Sequence, residues 1–114
     1  MKISSIAITE DDEKVRHYLA EQIQLQIDVE ELRLFADAET ALKELSAHPV
    51  DIALFDVNLP GMSGIDCIQR LKILHPRMQM MVLTVYDNTD TIFQALKAGA
   101  TSFLLKSTPP EKVI

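Results

Sequence analysis

Residues 50–64 read VDIALFDVNLPGMSG, and this stretch decides the fold that the sequence predicts. It opens with a nearly all-apolar run, Ile52 to Phe55, which is typical of a strand covered on both faces in a parallel sheet. Asp56 stands at the carboxyl end of that strand, and a loop rich in Asn, Pro and Gly follows it. Ligands of open α/β sheets bind just beyond the carboxyl ends of strands, so a reactive group is expected at Asp56. The alternative is that Asp56 only ends the strand and accepts hydrogen bonds from its own loop.

Length and composition indicate one acidic globular domain. The chain has 114 residues, of which 47% are hydrophobic and 25% charged. The net charge of −6 argues against binding of nucleic acid or of an anionic membrane by this segment. The single cysteine, Cys67, excludes an internal disulfide and is predicted to pack in a helix rather than to react. No apolar run approaches the roughly 20 residues that span a bilayer, and we expect a cytoplasmic protein.

Hydrophobic patterning predicts strands that alternate with helices. The strands are predicted at residues 3–9, 31–36, 52–55, 79–84 and 101–105. Amphipathic helices are predicted between them. In the third helix we expect Ile65, Ile68, Leu71 and either Ile73 or Leu74 to face inward. Short β–α connections of this kind favour a parallel sheet with helices on both faces.

The ends of the helices also carry sequence signals. Asp37 is placed to cap the second helix, and Ser63, with Asp66 three residues later, to cap the third. Gly99 is expected in the left-handed conformation after the fourth helix. Residues 108–111, Thr-Pro-Pro-Glu, predict the start of a last helix, which we expect to be truncated at residue 114.

Polar side chains follow the carboxyl ends of the predicted strands, which meet at one edge of a parallel sheet. These side chains are Glu10, Asp11, Asp12, Asp56, Thr84 and Lys106. The chain offers no His and Cys set for zinc and no glycine-rich phosphate loop. A few carboxylates with room for water suit Mg²⁺, and Mg²⁺ with a lysine and a hydroxyl suits a phosphoryl group. One carboxylate would then be the nucleophile, and the central position of Asp56 favours it, with the first-strand acids as metal ligands.

The chain from residue 3 to residue 114 resembles the receiver domain of bacterial two-component response regulators. The motifs that carry the resemblance are Glu10-Asp11, Asp56 with VNLPGMSG after it, Thr84 and Lys106. The resemblance implies a flavodoxin-like α/β fold, a three-layer sandwich whose five-stranded parallel sheet has the order 2-1-3-4-5. Ser107 and residues 108–111 resemble the NarL/LuxR-type branch, whose receivers precede a C-terminal helix-turn-helix DNA-binding domain. Residues 1–114 would then form the receiver, and any DNA-binding domain would lie beyond residue 114.

The resemblance also implies a role for each acidic residue. Asp56 is similar to the phosphoacceptor, and Glu10 and Asp11 are similar to the metal-binding acids, with Asp11 the direct ligand. The backbone carbonyl of Asn58 would complete the Mg²⁺ ligands together with Asp56. Asp12 is an additional acid, which we interpret as a loop or cap residue.

Three further residues are implied in a switch. Lys106 is similar to the lysine that contacts the phosphoryl group, and Thr84 to the switch hydroxyl. Phe103 is similar to an aromatic residue that swings inward on activation, although a plain core aromatic is the alternative. The implied protein is a signalling switch and not an enzyme, phosphorylated by a histidine kinase, with homodimerisation on phosphorylation as a further expectation.

Other functions remain open at this point. A phosphatase of the haloacid dehalogenase kind also uses a strand-end aspartate and Mg²⁺, but it needs a second acid two residues later, where this chain has Asn58. A pseudo-receiver that only binds proteins is disfavoured by the intact set of acids, threonine and lysine. A stand-alone phosphorelay receiver would need no output domain.

Overall fold

Strands and helices alternate along the part of the chain that the structure describes. The structure is a computed structural model, and it describes residues 2–84 and 89–105. The strands are β1 (Lys2–Thr9), β2 (Asp28–Phe35), β3 (Ile52–Asp56), β4 (Gln79–Thr84) and β5 (Ser102–Leu105). The helices are α1 (Glu13–Gln26), α2 (Ala38–Ala47), α3 (Gly64–Leu74) and α4 (Thr89–Ala98). The predicted last helix falls on residues outside these ranges.

The five strands form one parallel sheet in the order β2-β1-β3-β4-β5. This order confirms the predicted flavodoxin-like arrangement. Because every strand runs in the same direction, all the carboxyl ends lie at one edge of the sheet. β3 is the central strand, between β1 and β4, and it brings Asp56 to the middle of that edge.

Two hydrophobic clusters cover the two faces of the sheet. One is formed with α2, α3 and α4, and the other with α1. The side chains of β3 alternate between them, since Ala53 and Phe55 lie in the first cluster and Leu54 in the second. The apolar run that opens the decisive stretch is therefore buried on both sides, as its composition predicts.

The second strand is longer than its sequence pattern indicates. β2 begins at Asp28 rather than at residue 31, and its first residue already pairs in register with β1, Asp28 with Lys2. Asp28, Glu30 and Glu31 are exposed at the outer edge of the sheet. These charges interrupt the apolar signal, but they can remain hydrated because no further strand covers β2 in the part of the chain described.

The prediction that Ile73 or Leu74 faces inward is wrong. Ile73 is 78% exposed and Leu74 55% exposed. The buried face of α3 contains Cys67, Ile68 and Leu71, and the next position on that face is the C-cap residue, at which the helix has already ended. Helical spacing alone would extend the row of inward-facing residues, but α3 ends before that row reaches another buried position.

The helix-end predictions at Asp37, Ser63 and Gly99 are confirmed, and the predicted cap at residues 108–111 lies outside the described residues. Asp37 Oδ1 accepts a hydrogen bond of 2.6 Å from the backbone N–H of Thr40, and this bond lowers the pKa of Asp37. Ser63 Oγ accepts one of 3.1 Å from Asp66 N–H. Gly99 follows α4 with a φ of 124°, a conformation that favours glycine. Within the described ranges, no helix has both the length and the apolar character needed to cross a membrane.

Candidate functional site

Three carboxylates meet at the carboxyl edge of the sheet. Glu10, Asp11 and Asp56 each contribute one oxygen, and these oxygens all lie within 4.8 Å of one another. Glu10 is 0% exposed and Asp56 is 2% exposed, whereas Asp11 is exposed to solvent. Across residues 2–84 and 89–105, this is the one group of acids, histidines or cysteines close enough to share a metal ion.

Strand register explains why acids so far apart in sequence become neighbours. Thr9, the last residue of β1, pairs with Phe55 of β3, so the residues that follow β1 run beside the end of β3. Asp12 has a different role from these acids. Its carboxylate caps α1 by accepting hydrogen bonds from the backbone N–H groups of Lys14 and Val15. The interpretation of Asp12 as a cap residue is therefore confirmed.

The backbone of Glu10 is held from two sides. Its N–H donates to the carbonyl of Phe35 at 3.0 Å, and its carbonyl accepts from Nη1 of Arg16 at 2.8 Å. The Arg16 guanidinium also brings a positive charge next to the acidic loop. Sequence reasoning missed Arg16, since an arginine in the first half of a helix gives no sign that it reaches back to the preceding loop.

The backbone around Asp56 is fixed in a similar way. Asp56 Oδ1 accepts a hydrogen bond of 3.0 Å from Asn58 N–H, and Val57 N–H donates to the carbonyl of Leu83 at 3.1 Å. The alternative interpretation of Asp56, that it bonds its own loop, thus describes a real contact. That contact does not remove Asp56 from the acidic cluster, so both descriptions hold.

Glycine is required where α3 begins. A Cβ at Gly64 would overlap the carbonyl oxygen of Asp56 and would lie 3.3 Å from Cβ of Phe55. Because Gly64 has no side chain, the start of α3 can pack directly on the end of β3. Sequence reasoning treated this glycine only as part of the loop, and its close approach to Asp56 becomes visible only in the fold.

The loop between β3 and α3 contacts α2. Met62 N–H donates a hydrogen bond of 3.2 Å to Oε2 of Glu39, and Gly61 beside it has a φ of 77°. A Cβ at Gly61 would overlap the same Glu39 oxygen. Glu39 is a second residue that sequence reasoning missed, because it lies 23 residues before Met62 in the chain.

The predicted switch residues are only partly described. The backbone of Thr84 ends β4 and pairs with Leu105, but the Thr84 side chain and all of Lys106 lie outside the described residues. Phe103 lies on β5, pairs with Val82 and is 39% exposed, so it is not a fully buried core aromatic here.

Cys67 is buried for packing, as the sequence predicts. Its side chain is 0% exposed, and its Sγ donates to the carbonyl of Ala38 at 3.6 Å. Burial raises the pKa of the thiol to about 12, so the reactive thiolate is absent at neutral pH.

The donor set of the acidic cluster fits a hard divalent cation. All three side chains offer carboxylate oxygen, the ligand type that Mg²⁺ prefers, and among the described residues no nitrogen or sulfur ligand joins them. Three carboxylates this close repel one another, and burial of two of them strengthens that repulsion. A bound cation would relieve it, and the exposed Asp11 leaves a side of the cluster open to water.

Comparison with known proteins shows similarity along nearly the whole chain. The oxygen regulatory protein NreC of Staphylococcus epidermidis is 29% identical over 110 residues, which are 96% of this chain and 50% of NreC. A cyclic di-GMP phosphodiesterase of Thermotoga maritima is 37% identical over 103 residues, 90% of this chain and 27% of that protein. This chain therefore spans half or less of these relatives, which differ in the remainder of their length.

A solved structure gives the same fold. A LuxR-family DNA-binding response regulator from Staphylococcus aureus superimposes with a TM-score of 0.89, over 97% of this chain and 92% of that one, at 21% identity. Its family is the branch that the end of the sequence resembles. The sequence profile of the response regulator receiver domain matches residues 6–114, from the middle of β1 onward and so across all three acids. By this match the chain belongs to the family of response regulator receiver domains.

Proposed function

We propose that this receiver domain takes a phosphoryl group onto Asp56 from the phosphohistidine of a histidine kinase. The observation that carries the proposal is the grouping of Glu10, Asp11 and Asp56 within 4.8 Å at the sheet edge where α/β proteins bind ligands. Membership of the receiver family supports a signalling role rather than turnover of a substrate. The identity of the donor is inferred from the family and from the sequence motifs.

The acidic cluster would hold Mg²⁺. Receiver domains generally bind this ion at an acidic pocket, and Glu10, Asp11 and Asp56 offer the oxygen ligands for it. The backbone carbonyl of Asn58 is the further ligand that the sequence predicts. When bound, the ion supplies positive charge that offsets the charge on the phosphoryl oxygens.

Asp56 acts as the nucleophile. One of its carboxylate oxygens forms a bond to phosphorus while the phosphorus–nitrogen bond of the phosphohistidine breaks, and the imidazole leaves with the electron pair of that bond. The Asn58 N–H, at 3.0 Å from Oδ1, orients the carboxylate for this attack. The product is an acyl phosphate, which carries about two negative charges at the edge of the sheet where the carboxylate carried one.

We expect the β4–β5 side of the sheet to change conformation in response to the charge of the phosphoryl group. Thr84 is one residue beyond Leu83, the partner of Asp56 in the sheet, and Lys106 directly follows Leu105, the partner of Thr84. This register supports the proposal that the Thr84 hydroxyl and the Lys106 ammonium contact the phosphoryl group. Phe103, half-exposed on β5, then turns inward as Thr84 moves toward the phosphate.

The output is proposed to be transcriptional. The NarL/LuxR-type signature near residue 107 supports a helix-turn-helix domain beyond residue 114, with residues 1–114 as the receiver. The likeness to the oxygen regulatory protein NreC supports a regulatory output. The gene sequence after codon 114 decides between this output and a stand-alone relay receiver. We also expect a cytoplasmic protein that forms a homodimer on phosphorylation, measurable by light scattering with and without beryllofluoride.

Labelling with acetyl phosphate tests the central step. In the presence of Mg²⁺, the wild-type protein should incorporate one phosphoryl group, and Asp56→Asn should incorporate none because the nucleophile is absent. Asp51→Asn, which changes the aspartate at the opposite end of β3, is the matched control and should be labelled like the wild type. Labelling that persists in Asp56→Asn would remove Asp56 from its role, and hydrolysis of a small phosphomonoester would favour the phosphatase alternative.

A further inference from the structure

The loop between β3 and α3, residues 57–63, is held one residue before its end by a side chain from another helix. Oε2 of Glu39, in the first turn of α2, accepts the hydrogen bond from Met62 N–H at 3.2 Å. Glu39 is exposed, so its carboxylate makes this contact without being confined by a core. A side chain from α2 therefore fixes a loop that begins next to Asp56.

The two ends of this loop are fixed by other means. Asn58 N–H bonds to Asp56 at one end, and Ser63 caps α3 at the other. Gly61 lies between these ends with a φ of 77°, which favours glycine, and a Cβ there would displace the Glu39 carboxylate. Leu59 packs into the hydrophobic core, and the hydrogen bond from Met62 N–H to Glu39 is a further contact that holds the loop, just before Ser63.

We propose that Glu39 is a positioning residue of the phosphoryl site. By holding Met62, it restrains the loop that carries Asn58, whose carbonyl the proposed function assigns to Mg²⁺. Ordering a flexible segment costs conformational entropy, and a loop already fixed by Glu39 avoids part of that cost when the ion binds. This inference rests on the proposed function, because it assigns Glu39 to the same metal site.

Glu39 could alternatively act through its negative charge alone. A carboxylate near the site attracts Mg²⁺ whether or not it bonds to the loop, and its removal would then weaken binding by long-range electrostatics. The two effects separate in Glu39→Gln, which keeps an oxygen acceptor for Met62 N–H and removes the charge. In Glu39→Ala both the acceptor and the charge are lost.

The test is a Mg²⁺ titration of the wild type, Glu39→Ala, Glu39→Gln and Lys43→Ala, followed by NMR at the Asn58 amide. We expect Glu39→Ala to bind Mg²⁺ about three- to tenfold more weakly, as for loss of one exposed hydrogen bond, and Glu39→Gln to stay within about twofold of the wild type. Lys43→Ala, one helical turn further along α2, should bind like the wild type. In metal-free protein, hydrogen exchange of the Met62 amide should be faster in Glu39→Ala than in the other three.

Two results would overturn the positioning role. One is Mg²⁺ binding by Glu39→Ala that equals the wild type, and the other is equal weakening in Glu39→Gln and Glu39→Ala, which would leave charge alone as the cause. In both cases the wild type still binds Mg²⁺ and accepts the phosphoryl group, so the proposed function stands. A wild-type protein that neither binds Mg²⁺ nor accepts label would instead overturn the proposed function, and the role of Glu39 with it.

Discussion

β3 has an aspartate at each end, and the two aspartates have different surroundings. Asp51, just before the strand, is exposed, and its Oδ2 accepts hydrogen bonds of 3.1 and 3.3 Å from the N–H groups of Ser4 and Ser5. Its carboxylate joins β3 to β1 at the amino edge of the sheet. Asp56, five residues later, is buried beside two other carboxylates at the carboxyl edge.

The surroundings of the two aspartates indicate which one stabilises the fold and which one is placed to bind a ligand. The hydrogen-bond donors around Asp51 satisfy its charge, and water reaches it, so that aspartate stabilises the fold. Asp56 shares its surroundings with Glu10 and Asp11, which raises the electrostatic energy of the metal-free protein. Such a cost is retained where a ligand relieves it, and the ligand that we propose here is a divalent cation.

The largest effect should come from Asp56→Asn. Removal of one of three clustered charges should lower Mg²⁺ affinity at least about tenfold, while the free energy of unfolding without divalent cations rises by about 1–3 kcal/mol. Calorimetric Mg²⁺ titration and urea unfolding in a chelating buffer measure the two quantities. A metal-free variant less stable than the wild type would mean that Asp56 is an ordinary stabilising aspartate, like Asp51.

Gly64→Ala should damage the carboxyl edge without changing its charge. The added Cβ overlaps the Asp56 carbonyl oxygen, so α3 must shift, at a cost of about 1–3 kcal/mol in the free energy of unfolding. Urea unfolding measures this loss, and Mg²⁺ affinity should fall with it because Asp56 moves. Ser4→Ala at the amino edge keeps its backbone donor to Asp51 and should change neither quantity. Wild-type stability in Gly64→Ala would show that the packing of α3 on β3 is loose.

Asp51→Ala should lower the stability of the protein without changing its affinity for Mg²⁺. Loss of the acceptor for two exposed backbone N–H groups should lower the free energy of unfolding by about 1–2 kcal/mol. The acidic cluster lies at the other edge of the sheet, so Mg²⁺ affinity should equal that of the wild type. If Asp51→Ala weakened Mg²⁺ binding as strongly as Asp56→Asn does, the two edges would be coupled and the contrast between them would fail.

The smallest effect concerns Cys67, which is as buried as Asp56 but has no charged cluster around it. Burial raises its folded-state pKa from 9.0 to about 12, so its contribution to stability is complete below pH 9 and is lost as the pH rises toward 12. Between pH 9 and 10 the wild type should lose at most about 1 kcal/mol more than Cys67→Ala. Urea unfolding at both pH values measures this difference. Equal losses in the two proteins would show that the thiol is not desolvated.

Much of the fold and the acidic cluster could be predicted from local sequence. Apolar runs give the strands, and the rule that parallel strand ends share an edge brings Glu10, Asp11 and Asp56 together. Helix caps at Asp37 and Ser63 are also local signals, because the acceptor and the donor are three residues apart. These predictions needed only residue type, spacing and the direction of the strands.

The errors and omissions share a different cause. Arg16, Glu39 and Gly64 take their roles from contacts with distant backbone, and no periodic pattern encodes such contacts. The start of β2 was missed because a solvent-exposed edge strand tolerates charge. The prediction that Ile73 or Leu74 faces the core fails because helical spacing does not show where a helix ends.

The central claim is that the carboxyl edge of the sheet holds a divalent cation. Mn²⁺, a paramagnetic substitute for Mg²⁺, broadens the NMR signals of nearby amides and so reports the location of the site directly. We expect the amides of Glu10, Asp11 and Asn58 to broaden first, while those of Ser4 and Ser5 at the amino edge remain sharp. Broadening that is centred on the exposed acids of β2, or that is equal at both edges of the sheet, would contradict the claim.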